Sequence, residues 1–334
     1  MNQHYFKPGL VLILMLASAT VLNAQSLKKD FHKEYQAGAS TELCIENQFG
    51  NVIVQEWDQN KILIDVNVEV SAEKEDIAQK LLDRIVVNFK EEGNKFSAIT
   101  DMKNEESVKG KNVEFHINYT VKCPKNLNLS VENQFGDVSL GSLTGPVDLE
   151  VQFGSINAVS LTGTETNIEI QFGKATINEL KNASVEVQHC ELVKISSCSA
   201  LEIEAQFSEL KIGKVDKLDG ELEHCTSVIE QLTDALSIEA SMGSLEVMNV
   251  AAGFSLIEIE QSMGEVNLTM DPKAGYKLTA EAVMGGISVP PGFKATKKDT
   301  GHDHEDLGST VTGTAGDGKG TVNISVSMGS IKIK

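Results

Sequence analysis

Residues 147–173 read VDLEVQFGSINAVSLTGTETNIEIQFG and contain one phrase twice, Glu150-Val-Gln-Phe-Gly154 and Glu169-Ile-Gln-Phe-Gly173. Upstream the phrase occurs as Glu46-Asn-Gln-Phe-Gly50 and Glu132-Asn-Gln-Phe-Gly136. Downstream it degrades to Glu186-Val-Gln-His-Cys190, Glu204-Ala-Gln-Phe-Ser208 and Glu221-Leu-Glu-His-Cys225. It returns with methionine as Glu239-Ala-Ser-Met-Gly243, Glu260-Gln-Ser-Met-Gly264 and Glu281-Ala-Val-Met-Gly285, and ends in Ser327-Met-Gly329. From Gly136 to Gly243 the last position advances by 18, 19, 17, 18, 17 and 18 residues, then by 21 and 21, and by 44 across an insertion.

Within a unit the pattern has period two. Val147, Leu149, Val151 and Phe153 share one face, and Asp148, Glu150 and Gln152 the other. Each unit therefore reads as short strands joined by tight corners, with glycine where a positive φ is needed. One unit cannot bury its own apolar face, whereas stacked units bury a continuous core. The expected fold is all-β, a single-stranded parallel β-helix (β-solenoid) with coils of about 18 residues and roughly 50 Å of length for eleven coils. Its handedness stays open.

Such stacking sets columns. Phe135, Phe153 and Phe172 are expected to stack inside, with Met242, Met263 and Met284 continuing the line. Glu132, Glu150, Glu169, Glu186, Glu204, Glu221, Glu239, Glu260 and Glu281 are expected to form an outward acidic face for a cation or a partner. Gln134, Gln152, Gln171, Gln188 and Gln206 flank it, where amides could bond along the axis.

Three segments interrupt the repeat. Residues 1–24 read as a signal peptide: Lys7 precedes the apolar run Leu10–Leu16, and Ala24 suits the cleavage position. The mature chain is expected to be exported, periplasmic or extracellular in a Gram-negative bacterium, with no transmembrane segment. Residues 25–130 read as a first coil and an α/β capping excursion. Its strands are Ile62–Val70, Ile85–Phe89, Lys95–Thr100 and Val113–Val121, and its one helix is Glu73–Arg84, started by Ser71. Residues 131–334 are the solenoid proper, with a polar, flexible insertion at 290–320.

Charge narrows the function. The chain of 334 residues has 48 acids against 29 bases, a net charge of −19, and Arg84 is its only arginine. That excludes nucleic acid and anionic membranes as partners, both of which need clustered cations. The five cysteines are an odd number with no disulfide-scaffold density; Cys44–Cys123 is one candidate bridge.

The opening Ile45-Glu-Asn-Gln-Phe-Gly-Asn-Val-Ile-Val-Gln-Glu-Trp57, the helix-bearing insert and the Cys123-Pro-Lys-Asn-Leu-Asn-Leu entry resemble the bacterial β-strand-repeat "putative adhesin" family of unknown function. That family is related to the head-domain auto-transporter adhesins. The resemblance implies a β-helix exported to the cell envelope, and carries over no catalytic residue.

Candidate chemistry is sparse. A flat glutamate column offers too few oxygens at one point for a caged Ca²⁺, so a loosely bound divalent cation or a basic partner is the alternative to a solvated face. His189-Cys190 and His224-Cys225 lie two coils apart, too far to share one Zn²⁺, and each histidine takes the inward phenylalanine position. His302, Asp303 and His304 could hold a transition metal weakly. No nucleophile elbow, P-loop or isolated carboxylate pair is present. The expectation is a non-enzymatic envelope scaffold, without a cofactor, that binds an unidentified protein or glycan. The alternatives are an envelope-stress or regulatory accessory protein and a carbohydrate-active β-helix enzyme.

Overall fold

The computed structural model describes residues 25–38, 40–103, 113–299 and 308–334. They are nearly all β, in one open system of 22 strands with a single helix. The N-terminal region holds β1 (Gln25–Gln36), β2 (Glu42–Phe49), β3 (Val52–Trp57), β4 (Lys61–Ala72), α1 (Glu75–Leu82), β5 (Ile85–Glu92), β6 (Lys95–Met102) and β7 (Glu114–Pro124). The repeats follow as β8 (Asn128–Phe135), β9 (Val138–Leu143), β10 (Val147–Gln152), β11 (Ser155–Leu161), β12 (Thr166–Gln171), β13 (Lys174–Gln188), β14 (Leu192–Gln206), β15 (Glu209–Glu223), β16 (Cys225–Val250) and β17 (Leu256–Met270). The chain closes with β18 (Tyr276–Met284), β19 (Ile287–Ser288), β20 (Lys294–Asp299), β21 (Ser309–Ala315) and β22 (Gly320–Ile333). The signal segment and the residues His302, Asp303 and His304 lie outside the described residues.

The repeat builds the body. Strands one unit apart pair in parallel and in register: Glu150 lies between Glu132 and Glu169, and Ile156 between Val138 and Ala175. Every second side chain points in, so Val147, Leu149, Val151, Ile168 and Ile170 are buried. Each fully buried aliphatic side chain contributes about 1.5–3 kcal/mol. The result is solenoid-like: chain-local pairs that repeat along one axis.

At the N-terminal end β2 pairs with β8 on one side and β6 on the other, and β3 with β9 and β7. β5 then adds to β6, and β4 and β1 add beyond β7, all antiparallel. The helix is shorter than the spacing predicts. Ser71 and Ala72 stay in β4 because they pair with Ser26 and Gln25, so the N-cap falls on Lys74, whose side chain makes no cap. Strand pairing outweighs a cap of about 1 kcal/mol. β1 has no counterpart in the sequence reading, because Lys29 and Lys33 alternate with Leu27, Phe31 and Tyr35 on its inner face. Their ammonium groups lie 4.9 Å and 5.2 Å from the Phe31 and Tyr35 ring centres.

At the C-terminal end spatial order departs from chain order. β22 sits between β17 and β18, parallel to both. After β18 the chain passes through β19 and β20, returns as β21 antiparallel to β18, and turns at Gly316 and Gly318. Both glycines have positive φ there (+55° and +67°). Of the insertion at 290–320, residues 290–299 and 308–320 are described. Within it, β20 and β21 form a hairpin, Val311 is buried, and the Phe293 ring lies 6.2 Å from that of Tyr276.

Candidate binding surface

The acidic column exists in register and is longer at one end than the sequence reading has it. Glu46 precedes Glu132, and the line runs through Glu150, Glu169, Glu186, Glu204, Glu221 and Glu239 to Glu260. At the other end it is broken: Ser325 of β22 stands between Glu260 and Glu281. The 44-residue jump to the last phrase hides this insertion in the sequence. All of these glutamates are half-buried or exposed. Repulsion along the column is visible at Glu132, whose carboxyl is held above the usual range by partial burial, then by Glu150 and Glu46.

The glutamines do not bond along the axis as expected. Three of them turn back to the glutamate two residues earlier on the same strand face: Gln152 Nε2 to Glu150 Oε1 at 3.1 Å, Gln171 to Glu169 at 2.7 Å and Gln188 to Glu186 at 2.7 Å. The amide donor thereby disperses carboxylate charge, which the next carboxylate along the axis cannot do.

The phenylalanine column is on the outside, which overturns the inward expectation for Phe135, Phe153 and Phe172. Phe153 and Phe172 are each 49% exposed and Phe135 39%. The physical reason lies in the corner. At Phe153, Phe172, His189, Phe207 and His224 the backbone takes φ of 51–55°, which breaks the strand alternation and turns the side chain outward. At Gly50, Gly136, Gly243, Gly264 and Gly329 the glycine itself carries the positive φ, between 120° and 148°. A Cβ at Gly136, Gly243 or Gly264 would collide with the backbone carbonyl of the coil beneath.

The outer rings form one continuous stack. Centroid spacings are 5.3 Å for Phe49–Phe135, 5.2 Å for Phe135–Phe153, 5.0 Å for Phe153–Phe172, 5.1 Å for Phe172–His189, 5.0 Å for His189–Phe207 and 4.6 Å for Phe207–His224. Interplanar angles stay between 5° and 20°. The methionines continue the line as Met242, Met263, Met328 and Met284, all exposed, with Met328 inserted by β22. His189 and His224 are thus exposed members of this stack, not core residues. Their presence in the column was the available signal: a position that alternates Phe with His and Met is not sealed from water.

Polar groups line the corners inside. Asn47 Nδ2 donates to Ile117 O at 3.0 Å, and Asn133 Nδ2 donates to Gly50 O at 3.1 Å and Gly136 O at 2.8 Å. Thr100 Oγ1 donates to Asn47 Oδ1 at 3.2 Å and lies 2.7 Å from the Tyr119 hydroxyl. Further along, the Cys190 and Cys225 thiols and the Gln261 amide serve corner carbonyls. All five cysteines are free, so Cys44 and Cys123 are not bridged. Burial pushes the Cys123 and Cys198 thiols up to about 12. Among the described residues no group of three or more His, Cys, Asp or Glu is arranged to hold a metal, and no helix is long and apolar enough to cross a membrane.

A stack of coils with an outer ring ladder beside a glutamate column defines a solenoid-like β protein with an extended surface. The Toastrack DUF4097 family model matches residues 41–334, and the chain belongs to that family. Solved structures similar to it include a "putative cell adhesion protein" from Clostridium sporogenes, 12% identical over 92% of this chain and 99% of that one, at a TM-score of 0.23. A "putative adhesin" from Bacteroides fragilis is 12% identical over 72% of this chain and 96% of that one, at 0.37. Another from Parabacteroides merdae is 10% identical over 73% and 92%, at 0.32. At these scores the likeness carries no functional weight. No curated protein matches the chain.

Proposed function

We propose that the chain is an exported, non-enzymatic binding scaffold of the bacterial cell envelope, of adhesin type, which engages a basic partner through its glutamate column. In this reading the coils wind as a single-stranded parallel β-helix of about 18 residues per coil. Loosely held divalent cations screen the column until the partner displaces them. The observation that supports it is the unbroken register of nine glutamates from Glu46 to Glu260 on one outward face. Like charges directly opposite in a sheet cost a few tenths of a kcal/mol to about 1 kcal/mol per pair. A surface that keeps this cost along its length is suited to a cationic ligand.

The test compares the immobilised wild-type chain with Glu150→Gln/Glu169→Gln/Glu186→Gln for retention of envelope proteins and glycans. The expected result is a component held by the wild type, released by salt and absent from the variant. Equal retention by both would refute the reading. Fractionation of the full-length chain should place it outside the cytoplasm and shortened near Ala24.

A further inference from the structure

The ring ladder is unusual as an exposed surface. Phe135, Phe153, Phe172, Phe207 and the four methionines each leave between 36% and 49% of their surface in solvent. At about 200 Å² per side chain that is on the order of 600 Å² of apolar surface along one ridge, in which the His189 and His224 rings are the two polar members. The largest patch on a typical monomer is roughly 300–600 Å², and patches at or above that size mark interaction sites. The rings within the ladder have both faces covered by neighbours, so the ridge presents ring edges and thioethers. Sugar rings, which stack on aromatic faces, find no platform there.

Its surroundings select the occupant. On one side the glutamate column stands three residues earlier on each strand, about 10 Å away. On the other side, the first residues after the corner include Asp137, Glu209 and Glu265 against one lysine, Lys174; Lys174 is paired with Glu191 at 2.8 Å and Glu265 with Lys332 at 3.5 Å. A second copy laid ridge to ridge would bring acid against acid on chains of net charge −19, and an anionic bilayer would do the same. The axial repeat is also informative. Ring spacings near 5.0 Å are close to the 5.4 Å pitch of an α-helix, and far from the roughly 6.8 Å between same-face residues of an extended strand. The ladder from Phe49 to His224 is roughly 30 Å long, the length of a 20-residue helix, whose diameter of about 10–12 Å spans from ridge to glutamate column.

We infer that the Phe49–His224 ladder and its methionine continuation are the docking site for a cationic amphipathic α-helix of a partner protein. The helix lies along the coil axis with its apolar stripe on the ridge and its lysines or arginines over the glutamate column. This inference rests on the acidic-face reading and adds the apolar half of the site and the form of the partner.

The probe is a synthetic 20-residue peptide of Leu and Lys, patterned so that leucine forms one helical stripe. Its binding is followed by fluorescence anisotropy and its helicity by circular dichroism. The ridge variant is Phe153→Asn/Phe172→Asn/Phe207→Asn, because asparagine accepts the positive φ that these positions require. The expected result is a peptide that becomes helical on binding, with at least tenfold weaker affinity for the ridge variant and for Glu150→Gln/Glu169→Gln/Glu186→Gln. Undiminished binding by the ridge variant overturns the docking site and leaves the acidic face standing; undiminished binding by the Gln variant overturns the acidic face.

A second measurement needs no variant. A 34-residue version of the peptide, about 50 Å long as a helix and so able to reach past His224 over the methionines, should slow peroxide oxidation of Met242, Met263, Met284 and Met328 in the wild type at least several-fold. Unchanged oxidation of these four contradicts the site. So does ridge-dependent self-association in sedimentation, which would make a second copy the occupant. Tighter ridge-dependent binding to phosphatidylglycerol vesicles than to the peptide would make it a lipid surface.

Discussion

Phe153→Asn separates an outer ring from a core ring by magnitude alone. In the structure Phe153 contacts Phe135 at 5.2 Å and Phe172 at 5.0 Å, and half of it faces solvent. Two stacked pairs contribute about 0.5–1.5 kcal/mol each beyond area burial. The half of the side chain that is buried adds about 1 kcal/mol. Against this, asparagine fits φ of 52° better than phenylalanine and recovers something under 1 kcal/mol. The net expected loss is about 2 kcal/mol. A core phenylalanine replaced by an amide would lose about 3–5 kcal/mol for the ring and a further 1–3 for the buried polar group. Urea unfolding followed by circular dichroism measures the difference directly, and a double-mutant cycle with Phe172→Asn should return a coupling of about 1 kcal/mol. A loss above 5 kcal/mol, or no coupling, would refute the outward stack.

Three further outcomes follow from the same geometry. Glu132→Gln should raise stability near neutral pH by a few tenths of a kcal/mol, the scale of one like-charge pair. Because the native carboxyl is held above its unfolded value, the folded chain takes up the proton first. The penalty is therefore full at neutral pH and fades as pH falls through the raised native value, so urea midpoints of variant and wild type should converge in acid. Gly264→Ala should cost about 3 kcal/mol or more, since its Cβ meets the Gly243 carbonyl at φ +136°, whereas Gly286→Ala, with open space around it, should stay within about 0.5 kcal/mol by thermal unfolding. In a thiol-reagent assay at pH 8, Cys123 and Cys198 should stay unmodified until denaturant is added, with half-buried Cys44 the first to react.

The sequence carried the coil period because the Glu-x-x-Phe-Gly phrase recurs at the spacing of the pairing strands, and the period-two pattern names the buried Val, Leu and Ile of each unit. It misled at the corners. Alternation counted through Gln152 assigns Phe153 inward, but the positive φ at the strand end resets the direction, and nothing in period two records a dihedral angle. The glutamate column was legible from Glu132 to Glu260 because consecutive units are consecutive in space there. It failed at Glu281, because a hairpin sends β22 back between two strands that precede it in the chain. β1 was hidden by the lysines at 29 and 33, whose ammonium groups sit over the Phe31 and Tyr35 rings on the inner face.

The register of the stack, on which both the ridge and the acidic face depend, is open to direct measurement by engineered disulfides. Glu260→Cys/Ser325→Cys joins neighbouring strands about 4.8 Å apart, within the span of a disulfide, whereas Glu260→Cys/Glu281→Cys spans two strands at about 9–10 Å. Mild oxidation followed by peptide mapping should find the first pair bridged in nearly every molecule and the second unbridged. A bridge in the 260/281 variant, with the 260/325 variant unbridged, would contradict the account.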